Sequence, residues 1–297
     1  MEILSRGSKL VARAPGKLNL FLEVLRLRPD GYHELVTIMQ AITICDEIEF
    51  ERTDGPISLT TNSAAVPADE TNLVWKAAEL LRSHAGSRYG ATIYLAKRVA
   101  TGAGMGGGSS DAAAALVALN QLWDLGLRRD ELHPLAARLG SDVPFFLYGG
   151  TCLCRGRGEI VEPLEGIRPL TYVVVMPGLN VSTKEVYQNC RPGLTSAHMD
   201  YKLFLNTLRG RASEQEPQFF NRLEAVTMQL MPQLRLVSDA MKGAGLKGVT
   251  MTGSGSAFFA AATGRKEALQ AVNMLSQLNV GQALMAESNE STWTTQP

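Results

Sequence analysis

Gly102-Ala103-Gly104-Met105-Gly106-Gly107-Gly108-Ser109-Ser110-Asp111 runs without a break into the alanine-rich segment Ala112–Leu119, and the reading of this stretch decides the fold. Glycine at such density lets the backbone take positive φ and bring successive N–H groups towards one point, at an entropic cost that a merely structural loop avoids. Ser109, Ser110 and Asp111 suit an N-cap and Ala112–Leu119 suits a helix interior, so the loop is expected to end at a helix N-terminus. Unpaired N–H groups and the helix dipole at that point favour a polyphosphate. A flexible Gly/Ser linker is the plain alternative, but linkers seldom continue directly into so apolar a helix.

Several nucleotide loops share this wording and can be told apart by what surrounds them. Gly102, Gly104 and Gly107 satisfy G-x-G-x-x-G, yet a dinucleotide fold needs a second strand ending in an acid about twenty residues on. Here Gln121-Leu122-Trp123-Asp124-Leu125-Gly126-Leu127 and a second helical pattern follow instead. A P-loop needs Lys after its last glycine, where this chain has Ser109. The V-A-I-K, H-R-D and D-F-G signatures of protein kinases are absent from the sequence. What survives is a small-molecule kinase without a P-loop, its glycine loop entered from a strand and left through a serine pair.

The bulk properties agree with an ordinary globular enzyme. The chain has 297 residues, 45% of them hydrophobic and 20% charged, enough for two domains. Its 29 basic and 29 acidic residues cancel, so neither nucleic acid nor an anionic membrane is expected as the main partner. No uninterrupted apolar run approaches the roughly eighteen residues of a membrane span, and no signal-peptide core opens the chain. The expected setting is cytoplasmic. Cys45, Cys152, Cys154 and Cys190 form no C-x-x-C pair and the four histidines no H-E-x-x-H, so the thiols read as reduced hydrophobes and zinc is not expected.

Before the loop, Lys17–Val24 alternates as a half-buried strand, with Lys17 and Asn19 on one face and Phe21 and Glu23 continuing it. Arg28-Pro29-Asp30-Gly31-Tyr32-His33 reads as a turn into a second strand at Val36–Ile42. Asp46–Glu51 and Ile57–Thr61 are expected to pair around Thr53-Asp54-Gly55-Pro56. Asn72–Ser83 is an amphipathic helix and Ala91–Val99 the strand that enters the loop. After it come helices at Ala112–Leu125 and Arg129–Leu139, the latter closed by Gly140, with Asp142 between that helix end and Val143-Pro144-Phe145-Phe146. Thr151–Cys154 and Glu159–Pro163 flank a turn, and Leu170–Met176 is a buried strand. Val181–Tyr187 opens a Ser- or Thr-capped helix, Phe219–Met231 and Pro232–Gly243 read as two helices, and Gly248–Ala260 as strand, glycine turn, strand. Lys266–Leu278 is a last helix, and 288–297 a disordered tail.

Pro15-Gly16-Lys17-Leu18-Asn19-Leu20, Asp30-Gly31-Tyr32-His33, Gly104–Ala113, Gly140-Ser141-Asp142-Val143-Pro144-Phe145-Phe146 and Thr252-Gly253-Ser254-Gly255-Ser256 occur in this order across the chain. Together they resemble the GHMP kinase superfamily. The glycine loop and the last motif are common to that superfamily, whereas Asp-Gly-Tyr-His and Ser-Asp-Val-Pro-Phe-Phe point to its branch acting on a cytidine-diphosphate-linked methylerythritol. One departure is Ala100, where that branch usually has proline. Its loss removes a fixed φ but no phosphate ligand.

The resemblance implies an α/β (α+β) two-domain GHMP fold around a shared cleft. The expected ATP-binding domain is 1–165 and the expected C-terminal domain 166–287. It implies ATP as phosphoryl donor together with Mg²⁺, the metal touching Ser109 or Ser110. Ala100, Thr101, Gly102, Ala103, Gly104, Met105, Gly106, Gly107, Gly108, Ser109 and Ser110 would cradle the ATP phosphates, with Gly253, Ser254 and Gly255 near them. Asp142 would be the general base and Lys17 its cationic partner. Asn19, Tyr32, His33 and Tyr187 would hold the small-molecule substrate, Tyr32 and Tyr187 sandwiching the cytosine while His33 reads its edge. A sister kinase acting on homoserine or a mevalonate derivative, or a nucleotide-binding module without transfer activity, are the other readings.

Overall fold

The computed structural model describes residues 1–190, 200–210 and 217–290. The chain opens with β1 (Glu2–Arg6), β2 (Lys9–Leu27) and β3 (His33–Thr53), an antiparallel meander whose last two strands cross the molecule. β4 (Ser58–Thr61), α1 (Leu73–Ala85), β5 (Gly90–Ala96), α2 (Gly107–Leu122), α3 (Arg129–Leu139), α4 (Val143–Tyr148), β6 (Thr151–Gly156) and β7 (Ile160–Pro163) follow. The remainder is β8 (Thr171–Met176), α5 (Thr183–Asn189), α6 (Tyr201–Leu208), β9 (Phe220–Asn221), α7 (Glu224–Leu230), α8 (Leu234–Gly243), β10 (Thr250–Met251), β11 (Phe258–Ala262), α9 (Arg265–Gln277) and β12 (Gln282–Glu287).

Among the described residues the strands form two sheets. One runs β1-β2-β3-β5-β4, with β6 on β3, β7 on β6 and β9 on β2; the other runs β10-β11-β8-β12. Only the β4/β5 and β2/β9 pairs are parallel, so this is the α+β form of the expected fold. β3 gives its first half, Leu35–Gln40, to β6 and its last, Glu47–Thr53, to β5. The glycine loop leaves β5 and returns as α2 beside that parting, facing the Lys17 segment of β2.

α2 explains why the sequence there is almost all alanine. Ala112 through Leu119 are fully buried between the first sheet and α1, α3 and α4. Small side chains with high helix propensity let the helix sit close on every side. Its C-terminal anchor, Trp123, donates from its indole N–H to the Gly90 carbonyl at 3.1 Å.

The structure corrects several expectations. Ile57–Thr61 does not pair with Asp46–Glu51: β5 lies between β3 and β4, because the intervening helix α1 carries the chain across and lets a later strand take the inner position. Phe21 and Glu23 do not continue the Lys17/Asn19 face, since the β2/β3 register slips between Asn19 and Phe21, and such a bulge turns the following side chains over. Phe21 packs with Leu18 and Ile38, while Glu23 meets Arg222. Phe220 and Asn221, expected in a helix, form β9 on β2. The expected tail divides. Ser288 exchanges hydrogen bonds with Leu170, and the Asn289 N–H donates to the Ala41 carbonyl at 2.8 Å; 291–297 lie outside the described residues. Among the described residues no helix is long and apolar enough to cross a membrane.

Candidate active site

The glycine loop reaches α2 through Gly106, not through a serine cap. Gly106 is the N-cap, in the left-handed region at φ 70°, and Ser109 and Ser110 already lie within the helix. Glycine is required there, because a Cβ would come within 3.1 Å of both Lys17 Cγ and the Phe146 ring. The loop is tied to β2 by the Lys17 N–H, which donates to the Met105 carbonyl at 2.9 Å. Ala100 to Ser109 line a cleft of about 1110 Å³ at the positive end of the α2 dipole. Ser110 is not on that wall: it is fully buried and its hydroxyl has no partner among the described residues. Of the two serines, only Ser109 can meet a ligand in the cleft.

Lys17 enters the cleft from the floor. Its side chain is 3% exposed, its Nζ donates to Asn19 Oδ1, and it stands 3.8 Å from Asp142 Oδ2. Burial pushes the Lys17 ammonium below the ordinary lysine value, with the Asp142 charge pulling it back. Asp142 sits at the N-cap of α4 without capping it by a side-chain hydrogen bond, and at 36% exposure it faces the cleft. Its carboxylate is therefore open to an incoming group. Asn19 also lines the cleft, but its amide is engaged inside the protein: Oδ1 accepts from Lys17, and Nδ2 donates to Thr37 Oγ1 at 2.9 Å.

Behind the loop lies a buried ion cluster that sequence reading missed. Lys97 Nζ pairs with Asp46 and, at 2.7 Å, with Asp111 Oδ2. Asp46 also accepts the Val99 N–H at 2.8 Å, and the other Asp111 oxygen is buried without a hydrogen-bond partner among the described residues. Burial pushes the Asp111 carboxyl up to about 8, against the pull of Lys97. The cluster fixes the first turn of α2 to β3 and to the chain entering the loop.

The far end of the cleft is aromatic. His33 and Tyr187 face each other with ring centroids 5.2 Å apart and tilted by 32°, whereas Tyr32 is 51% exposed with the Arg157 guanidinium 4.9 Å over its ring. Tyr32 and Tyr187 are thus not opposed to one another here; each has another partner on a face. Burial pushes the Tyr187 hydroxyl up and the His33 imidazole down, so both are neutral near pH 7. Gly253 and Ser254 line the cleft between the two ends, while Gly255 is not on its wall. Ser254 Oγ is 2.8 Å from Thr183 Oγ1. Arg157, Thr183 and Lys184 also face the cleft; no local pattern marks them, because a lone Arg in a turn or a Lys in a first helical turn is ordinarily a solvated residue.

The profile of the GHMP kinases N terminal domain matches residues 72–150, and that of the GHMP kinases C terminal domain residues 201–280. The chain is 45% identical over 252 residues to the 4-diphosphocytidyl-2-C-methyl-D-erythritol kinase of Pelotomaculum thermopropionicum, covering 84% of this chain and 88% of that protein. It is 42% identical to the enzyme of that name from Brevibacillus brevis, covering 85% and 87%. A crystal structure of 4-(cytidine 5'-diphospho)-2C-methyl-D-erythritol kinase superposes with a TM-score of 0.80 at 38% identity, over 94% of this chain and 99% of that one. The homoserine kinase of Cytophaga hutchinsonii, at 20% identity and a TM-score of 0.69 over 98% and 97% of the two chains, shares the fold. With both halves matched and identity of this order over most of its length, the chain belongs to the 4-diphosphocytidyl-2-C-methyl-D-erythritol kinase family of GHMP kinases.

Proposed function

We propose that the protein transfers the γ-phosphoryl group of ATP to the 2-hydroxyl of 4-diphosphocytidyl-2-C-methyl-D-erythritol, giving the 2-phosphate and ADP, in the non-mevalonate route to isoprenoid precursors. The observation that carries this reading is one cleft with a helix-terminal glycine loop, a buried lysine 3.8 Å from an open carboxylate, and an aromatic far end. The ATP phosphates lie against Ala100–Ser109, where Ser109 would be the protein-side contact of a Mg²⁺ ion that would offset charge on the phosphates. Asp142 takes the hydroxyl proton as the alcohol oxygen bonds to the γ-phosphorus, and the bond to the β,γ-bridging oxygen breaks to release ADP. Lys17 offsets charge on the moving group, in keeping with phosphoryl transfer resting on positioning and electrostatics. Tyr32, His33 and Tyr187 bind the cytosine end, where Arg157 lies over Tyr32, and Lys184 adds a second positive charge to the cleft wall. The 1–165 and 166–287 division is proposed as the domain boundary: the chain leaves β7 at Pro163 and enters the second sheet at Thr171.

Coupled ADP release over the cytidyl methylerythritol substrate, mevalonate, phosphomevalonate and homoserine tests the reading. Turnover with the first alone is expected. Turnover with another alcohol in its place assigns a sister activity, and none with any leaves a nucleotide-binding module.

A further inference from the structure

Lys17 owes its position to a residue more than two hundred places away in sequence. Its ammonium donates to Asn19 Oδ1, and Asn19 is gripped by Thr252 of the second glycine loop. The Thr252 hydroxyl accepts the Asn19 N–H at 3.0 Å and directs its own proton towards Asn19 Oδ1 at 3.3 Å or the Gly104 carbonyl at 3.4 Å. One fully buried hydroxyl therefore touches β2, the first glycine loop and the loop that carries it. The two loops meet closely at this point: a Cβ on Gly104, at φ 76°, would lie 2.1 Å from the Thr252 carbonyl oxygen.

The loop bearing Thr252 is itself held. Asn221, on β9, donates from one Nδ2 to the Met251 carbonyl at 2.7 Å and the Gly253 carbonyl at 2.8 Å, the two carbonyls that flank Thr252. β9 is in turn paired with Phe21 and Leu22 of β2, just beyond Asn19. The path from Phe21 and Leu22 of β2 across β9, Asn221 and the loop to Asn19 and Lys17 starts and ends on β2, which makes it a closed brace.

We propose that Thr252, held by Asn221, is a positioning residue for phosphoryl transfer: its hydroxyl fixes Asn19 so that the Lys17 ammonium stays between Asp142 and the glycine loop. This rests on the reading of the cleft as a phosphoryl-transfer site. Thr252 touches no reacting atom, and the Gly104 turn stays packed against the Thr252 backbone when the side chain is changed, so loss of the hydroxyl acts chiefly by misdirecting one charge. Misplacement by about 1 Å can cost about 10²-fold in rate.

Thr252→Val and Thr252→Ser separate this role from packing. Valine keeps the shape and loses the hydroxyl; serine loses the methyl and keeps the hydroxyl. For Thr252→Val, kcat is expected to fall about 10²-fold with both KM values within about twofold of wild type, while Thr252→Ser stays within about threefold in kcat. A valine variant as fast as wild type, or a serine variant as slow as valine, overturns the proposal. A second readout needs no turnover: ¹³Cε NMR titration of Lys17 in the full chain. In Thr252→Val the loosened Asn19 no longer supports the ammonium, so Lys17 is expected to titrate at lower pH than in wild type or Thr252→Ser. An unchanged titration overturns the proposal even if the wild-type protein proves to act on another alcohol, whereas wild-type inactivity with the cytidyl substrate bears on the functional reading alone.

Discussion

Lys17 is held between two opposed demands, a low-dielectric floor that disfavours its charge and a neighbouring carboxylate that favours it. The first is the larger, so the ammonium is lost at lower pH than that of an ordinary lysine. Since the charge is needed in the transition state, kcat is expected to fall as pH rises, on an alkaline limb below the usual lysine value of 10.5. Replacing Asp142 by Asn removes both the base and the charge that sustains Lys17. For Asp142→Asn, kcat is expected to drop about 10²–10⁴-fold with nucleotide binding retained, and the alkaline limb of the residual activity to move to lower pH. A kcat–pH profile with direct ATP titration measures both, and near-normal kcat rejects the base assignment. At the aromatic end, Tyr32→Ala, His33→Ala and Tyr187→Ala are expected to raise KM for the cytidyl substrate about tenfold or more, each base stack contributing about 1–3 kcal/mol, with KM for ATP unchanged. A variant that shifts neither constant, or shifts that of ATP, takes its residue out of the substrate pocket.

At the scale of elements, the helix after the glycine loop was legible because three signals coincide there: glycine density, small polar residues and an alanine run. Its buried support was not. Asp46, Lys97 and Asp111 lie far apart on β3, the loop entry and α2, and no local pattern distinguishes a buried Lys from a solvated one. The strand order around β5 and the slip after Asn19 were missed for the same reason: alternation reports which residues are buried, while pairing partners and bulges are fixed by distant strands. The glycine loop was legible from its own composition, whereas Lys17 and Asp142 were assigned through the GHMP kinase motifs in which they stand. The buried cluster makes its own prediction. Asp111 has a carboxyl raised from 3.8 to about 8 by burial, so the folded state holds a proton that the unfolded chain releases. Such a group contributes stability that is fully present below about pH 4 and is lost as pH rises through about 8. Asp111→Asn copies the neutral acid, and its urea-unfolding stability is expected to depend less on pH than that of wild type between pH 5 and pH 8.5. An identical pH slope in the two proteins refutes the protonated Asp111. Lys97→Met leaves the buried Asp46 carboxylate and the Asp111 carboxyl without their cation and is expected to cost about 3–5 kcal/mol.

Over the whole molecule, the two sheets are joined closely enough to behave as one unit. Leu18, Ile38 and Ile42 of the first sheet share a buried cluster with Tyr172, Val174 and Phe259 of the second, and the Tyr172 hydroxyl donates to Gln40 Oε1 across the seam. The tie with the clearest chemistry is Arg222, whose Nε and Nη2 each lie 2.7 Å from a different oxygen of Glu23, itself 4% exposed. Arg222 follows β9 directly, so this bidentate pair clamps β9 against β2 and holds the segment that carries Asn221. Arg222→Ala strands a buried carboxylate and is expected to destabilise by about 3–5 kcal/mol, whereas replacing both partners with apolar residues of similar size is expected to recover most of that loss. Because the cluster crosses the seam, unfolding followed by circular dichroism and by tryptophan fluorescence is expected to give coincident transitions in the wild type and in both variants. Trp75 and Trp123 lie on the first-sheet side and the third tryptophan, Trp293, lies outside the described residues, so in a Trp293→Phe background fluorescence reports that half while circular dichroism reports the whole. Separated transitions would mean that the halves unfold independently; in that case Arg222→Ala, which strands Glu23 on β2 and frees β9 from the first sheet, should lower the transition that fluorescence sees.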